Sequence, residues 1–170
     1  GEIGTSKNEW TANERNLFEA ALIAHKETHK PIYTHTTLAT LAKDQALYLV
    51  DHGADPNKVV IGHVDLSGDL DMIRSVIACG VTVGFDTIGK NNYLPDEKRI
   101  EFLLALEKDG LLNQVVLSED LTRKSHLKYK GGIGYCYLFE SFIPKLLEAG
   151  LSKASLDQML SHNPQRIFGE

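Results

Sequence analysis

Val59-Val60-Ile61-Gly62-His63-Val64-Asp65 opens as an apolar, β-branched run of strand length and closes on an imidazole and a carboxylate. Its first half suits a strand buried on both faces, because no polar residue interrupts it. The same construction recurs at residues 31–36 (PIYTHT), 81–87 (VTVGFDT) and 114–120 (QVVLSED), and residues 1–5 (GEIGT) read as the end of one more strand. Helical periods lie between these runs. Thr11 and Glu14 form a capping box ahead of Leu17, Phe18, Ala21 and Leu22, and Pro31 stands beyond that helix. Pro95, Asp96 and Glu97 open a helix carrying Ile100, Leu103, Leu104 and Leu106, while Gly53, Gly80, Gly110 and Gly150 stand where helices must stop. The spacing predicts helices over 11–29, 39–52, 69–79, 95–109, 136–149 and 153–161. Strands alternating with crossover helices call for an α/β fold with a parallel sheet, either doubly wound or a (β/α)8 TIM barrel.

Composition excludes several classes. The 170 residues carry 18 Lys plus Arg against 23 Asp plus Glu, a net charge of -5, which gives no basic field for a nucleic acid or an anionic membrane. The longest apolar runs are about half a dozen residues, against roughly 20 for a bilayer span, and no signal-like start is present, so a cytoplasmic protein is expected. Cys79 and Cys136 show no CxxC or Cys/His spacing and read as buried thiols.

Glu2, His35, His63, Asp86 and Asp120 each fall at or next to the end of an apolar run, with separations of 33, 28, 23 and 34 residues. One strand-helix unit separates each pair, so a barrel would bring all five to one mouth, whereas an open sheet would spread them along an edge. A His or Asp after a strand ordinarily caps a loop; the repeated placement favours a shared site. Two imidazoles with several carboxylates suit zinc, manganese, cobalt or nickel, which accept nitrogen and oxygen together.

The segments GEIGTS, PIYTHTT, VVIGHVD, GFDTIGK, LSED and GGIGY, in this order, resemble the phosphotriesterase family of the amidohydrolase superfamily, in particular its phosphotriesterase homology branch. The resemblance runs over essentially the whole chain. It implies the C-terminal portion of a (β/α)8 barrel, from the end of strand four to strand eight, with the N-terminal strands missing, so that residues 1–170 form a partial metal-dependent hydrolase barrel. It also implies two divalent metal ions, zinc first. Glu2 resembles the bridging carboxylate, His35 and His63 the ligands of the more exposed ion, and Asp120 a ligand of the buried ion that also moves the catalytic proton. The family's His-x-His pair on strand one has no counterpart in these 170 residues. Asp65 and Asp86 are read as carboxylates that orient ligands or relay the proton, with helix capping and loop hydrogen bonding as the plain alternatives.

Lys90 and Arg123 follow the third and fourth apolar runs, and the glycine-rich run at 130–134 offers backbone N–H groups, so an anionic substrate group is suggested there. Tyr93 is a further candidate for substrate contact. The implied activity is a lactonase acting on a small, phosphorylated sugar lactone, with a promiscuous phosphotriesterase or aryl esterase as the close alternative. A third reading is a half-barrel without activity of its own, since a barrel takes about 250 residues and this chain needs the missing N-terminal half as a partner. A homodimer is compatible with all three. His25, His29, His52 and His162 read as structural, His126 as a solvated loop residue with pocket lining as the alternative, and Phe139 and Phe142 as one apolar helix face.

Overall fold

The computed structural model describes residues 2–169. Five short strands, β1 (Ile3–Thr5), β2 (Ile32–Thr36), β3 (Val59–Ile61), β4 (Thr82–Phe85) and β5 (Val115–Leu117), form one sheet in sequence order, every pair parallel. The helices α1 (Ala12–Thr28), α2 (Ala42–Asp51), α3 (Leu70–Ile77) and α4 (Asp96–Lys108) connect them. A parallel sheet needs such crossovers, and a sequential order of strands is consistent with part of a TIM barrel. Gly1, at the head of the expected first strand, lies outside the described residues.

The start and stop signals act as expected. Thr11 caps α1 and the Glu14 side chain reaches back to the Thr11 N–H at 2.7 Å, which satisfies two donors that the first turn leaves open. Gly53, Gly80, Gly110 and Gly150 all have positive φ. The strands are shorter than the apolar runs. Pairing in β3 stops at Ile61 because His63 turns left-handed at φ 58, and Asp120, beyond β5, does so at φ 47. His63 and Asp120 thus sit in the turns after β3 and β5, whereas His35 lies within β2 and Glu2 precedes β1.

Every residue of β3, β4 and β5 is buried, as the unbroken apolar runs require. Ile61, Val83 and Phe85 pack under the helices with Phe18, Leu49, Ile73, Leu103 and Leu106, each side chain contributing about 1.5–3 kcal/mol. Trp10 stands edge-on to Phe18 and Tyr48, with ring centroids 4.8 and 5.0 Å away. The opposite face is small and mixed: Val60, Val116 and Tyr33 meet Ile167 there.

Ile167 belongs to an unexpected element. The helix predicted over 153–161 continues: α6 (Lys153–Asp157) passes through a π-turn at Gln158–His162 into α7 (Asn163–Phe168). Pro164 explains the π-turn, because it lacks an N–H and its ring crowds the carbonyl four residues back, so the helix widens instead of ending. His162 is therefore within a helix and not at its end. The same cause, Pro144, puts a π-turn at Leu138–Phe142 ahead of α5 (Ile143–Glu148). The widened turn breaks the expected Phe139 and Phe142 face: Phe142 is fully buried while Phe139 is 62% exposed. Asn163, also fully buried, donates to the carbonyls of Leu112 and Val115, and Arg166 donates to Thr82 and Asn113, so α7 is fastened to the sheet. Cys136 is exposed and Cys79 half-buried, contrary to the expectation of two buried thiols. Among the described residues no helix is long and apolar enough to cross a membrane.

Candidate metal centre and cavity

The inner face of the sheet is cleared by glycines. A Cβ on Gly4 would lie 2.8 Å from the Cβ of His35, its partner in the β1–β2 register. A Cβ on Gly84 would lie 2.5 Å from the Asp86 Oδ2 and 2.7 Å from the Tyr33 hydroxyl. Gly62 is tighter still, 2.2 Å from the Thr34 carbonyl, to which its own N–H donates. Side chains that would be excluded from an ordinary strand face fit because their neighbours have none.

Asp86 organises this space. The backbone N–H of His63 donates to it at 2.9 Å, the His63 Nδ1–H at 2.7 Å, and the Tyr33 hydroxyl at 2.6 Å. A carboxylate held by three donors holds the imidazole in one orientation and one tautomer, leaving Nε2 with its lone pair. Burial lowers the His63 pKa, but the hydrogen bond and charge of Asp86, backed by Asp120 and Glu2, outweigh it and the net shift is upward. The Tyr33 hydroxyl is pushed well above its ordinary range by burial and by Asp86, so it stays a donor. No pattern in the sequence singled out Tyr33; its place one residue after Ile32, on the His35 side of β2, is the only signal.

Glu2, His35 and His63 come together: one ligand atom from each lies within 4.8 Å of the other two. The His35 Nδ1 is 3.3 Å from the Glu2 Oε1, and the two imidazoles stand edge to face with centroids 4.8 Å apart. Two nitrogens and a carboxylate at this spacing fit a cation such as zinc, whose ligand bonds are about 2.0–2.2 Å. Asp120 is not in this trio. Its carboxylate pairs with the Lys90 ammonium, which also donates to the Asp120 carbonyl.

Asp65 takes the plainer of its two readings, a loop hydrogen-bonding carboxylate: its Oδ2 accepts from Arg99 Nε at 2.6 Å and from the Thr87 hydroxyl at 2.8 Å, all three residues being buried. Burial and the Asp86 charge push its carboxyl up to about 6 against the pull of Arg99. Arg99, fully buried, also reaches Asp96 at 3.0 Å. No pattern in the sequence singled out Arg99; the fold brings the turn after β3 and the loop after β4 around it.

A cavity of about 590 Å³ opens beside the trio. His35, His63, Asp120, Lys90, Tyr93 and Arg123 all line it. So does His126, in the second of its two readings, because the turn after β5 folds back and the Thr122 N–H donates to its Nδ1 at 3.3 Å. The glycine run differs from expectation too: the N–H groups of Gly131, Gly132 and Gly134 donate to the carbonyls of Lys128, Leu127 and His126, so they close their own turns and do not face an anion. His25 is buried, not on a polar face, and bridges the Lys30 carbonyl and the Asp55 N–H.

Known proteins share this fold. A protein described as phosphotriesterase homology protein from Escherichia coli is 51% identical over 167 residues, 98% of this chain and 57% of that protein. A phospho-furanose lactonase from Mycoplasmopsis synoviae is 35% identical over 162 residues, covering 91% of this chain and 46% of its own length. The crystal structure of the Escherichia coli phosphotriesterase homology protein, complexed with phosphate in its active site, superposes with a TM-score of 0.96 at 50% identity, over 99% of this chain and 58% of that one. The chain thus spans about half the length of the curated relatives it matches. With the sequence pattern of the family matched over residues 1–168, the chain belongs to the phosphotriesterase family.

Proposed function

We propose that the chain is strands four to eight of a (β/α)8-barrel hydrolase that uses two divalent cations and opens a small, phosphorylated sugar lactone. The observation that carries this reading is the convergence of Glu2, His35 and His63 at the edge of a cavity that Lys90, Tyr93 and Arg123 also line. Glu2, His35 and His63 would hold one cation, and Glu2 and Asp120 would contribute to the second. When bound, the cations supply an acidified water and polarise the ester oxygen. Asp120 then accepts the proton of the attacking water and returns it to the leaving oxygen. Asp86 and Tyr33 keep the His63 ring in register. Arg123 and Lys90 bind the remote phosphate, and Tyr93 covers the sugar. The likeness to a phospho-furanose lactonase supports this substrate class. Nucleic acid and membrane have no place in the proposal, which assumes a cytoplasmic enzyme.

One observation favours a second reading, hydrolysis of neutral aryl esters or phosphotriesters: Lys90 is already paired with Asp120, which leaves Arg123 as the less committed cation on the cavity wall. By ligand count the 170-residue chain by itself would hold one cation and turn over neither substrate, because the second cation would have only Glu2 and Asp120 from this chain. Zinc titration followed by assays on a phosphorylated furanose lactone and an aryl dialkyl phosphate triester tests all three readings. The chain alone should bind one zinc, lose it in His35→Ala, and turn over nothing; adding a polypeptide that supplies the His-x-His pair should restore turnover, with the lactone preferred. Absence of zinc binding by the chain removes the metal reading, and preference for the triester selects the alternative.

A further inference from the structure

Two segments wall the cavity, and besides the Lys90–Asp120 pair near the strand ends a buried carboxylate joins them. Gly89, Lys90 and Tyr93 line it from the loop after β4, while Arg123, His126 and Ile133 line it from the segment after β5. Asp96, at the start of α4, is 1% exposed. Its Oδ1 accepts from the Gly89 N–H and from the Arg99 guanidinium, both at 3.0 Å, and its Oδ2 accepts from the Tyr137 hydroxyl at 2.9 Å. Asn91 accepts from the Asp96 N–H at 2.7 Å, so the first wall is tied at two points. The second wall reaches this carboxylate through Tyr137. At Gly89, φ is +84 and a Cβ would lie 2.6 Å from the Ile133 Cδ1 and 2.9 Å from the Tyr137 ring, so the walls touch with no spare room. A hydrogen bond to a buried, ion-paired carboxylate is stronger than one to a neutral group, and losing it leaves an acceptor without its donor.

We infer that Asp96 and Tyr137 form a latch that sets the separation of the two walls, and that Tyr137 is a positioning residue for substrate width. Latched, the cavity accepts a compact monocyclic ester; unlatched, the segment over 121–137 swings outward and admits bulkier ones. The substrate half of this inference rests on the hydrolase reading above, whereas the latch itself does not. Glu119 anchors the segment at a second point by accepting from the Leu138 N–H at 2.7 Å, so loss of the Tyr137 hydroxyl should loosen the segment and leave the sheet intact.

Tyr137→Phe keeps the ring and removes only the hydroxyl; Tyr135→Phe, at a tyrosine 68% exposed, is the control. Amide hydrogen exchange on the full-length protein should rise roughly tenfold across 121–137 in Tyr137→Phe, with β1 to β5 unchanged and the control like wild type. In the full-length protein, the ratio of kcat/KM for an aryl dialkyl phosphate triester over a monocyclic lactone should rise about fivefold in Tyr137→Phe. Unchanged exchange over 121–137, exchange rising equally throughout the sheet, or an unchanged substrate ratio overturns the inference. If wild-type full-length protein hydrolyses neither ester, the proposed function falls, and the exchange measurement still decides the latch because it needs no substrate.

Discussion

The two walls of the cavity are built by opposite means. The loop after β4 is fixed by buried charge: Thr87, Asp96 and Arg99 are all at most 2% exposed, and their bonds run to Asp65 on the preceding loop. The segment after β5 closes mainly on its own backbone, with Lys130, Gly132 and Gly134 donating to carbonyls three to eight residues back. Tyr129 and Tyr135 on it are 72% and 68% exposed, and Arg123, Lys124, Lys128 and Lys130 are its charges, with no acid over 121–139. Buried ion clusters tolerate little displacement, since a charge moved from its partner is left in a medium that cannot solvate it. Backbone turns at the surface exchange partners with water at small cost. One wall is therefore rigid by electrostatics, and the other, between its ties at Asp120, Tyr137 and Leu138, is held only by surface turns.

The largest expected effect comes from the rigid wall. Arg99→Met strands Asp65 and Asp96 without a cation and should lower the unfolding free energy by about 3–5 kcal/mol, read from urea melts. A midpoint within error of wild type would mean that the cluster adds no rigidity and the contrast is false. Gly132→Ala probes the other wall, because its Cβ would lie 2.2–2.4 Å from backbone atoms of His126 and Ser125. The turn must open, yet the loss should stay at about 1 kcal/mol and be confined to 121–137 by hydrogen exchange. Loss as large as that of Arg99→Met would make the two walls equivalent. Tyr129→Ser should change stability by less than about 0.5 kcal/mol in a thermal melt, since its ring is mostly in water; a larger drop would reveal packing that its exposure hides.

Much of the fold was readable from neighbouring residues. The capping box at Thr11 and Glu14, the four stop glycines and the buried β-branched runs all act within a turn or a strand, and each appears where the pattern put it. The convergence of Glu2, His35 and His63 was legible for a similar reason: they belong to three successive, neighbouring parallel strands, although Glu2 stands before β1 and not at its end, where the pattern put it. Pro164 misled for a local reason of the opposite kind, since it widens its helix into a π-turn where a stop was the simpler reading, and Pro144 does the same within a helix expected over 136–149.

What the sequence by itself determined is therefore the alternation of strands and helices, the parallel order that follows from it, and the row of chemistry-bearing residues at the strand ends, because periodicity and caps are short-range. Only the tertiary structure decided which partner each of them meets. Tyr33 reaches Asp86 across 53 residues, and Arg99 reaches Asp65 across 34. Such pairs leave no local signature: a tyrosine in a strand and an arginine on a helix look alike whether they face water or a buried carboxylate. Their roles follow from desolvation, which depends on everything that packs around them and on no stretch of sequence alone.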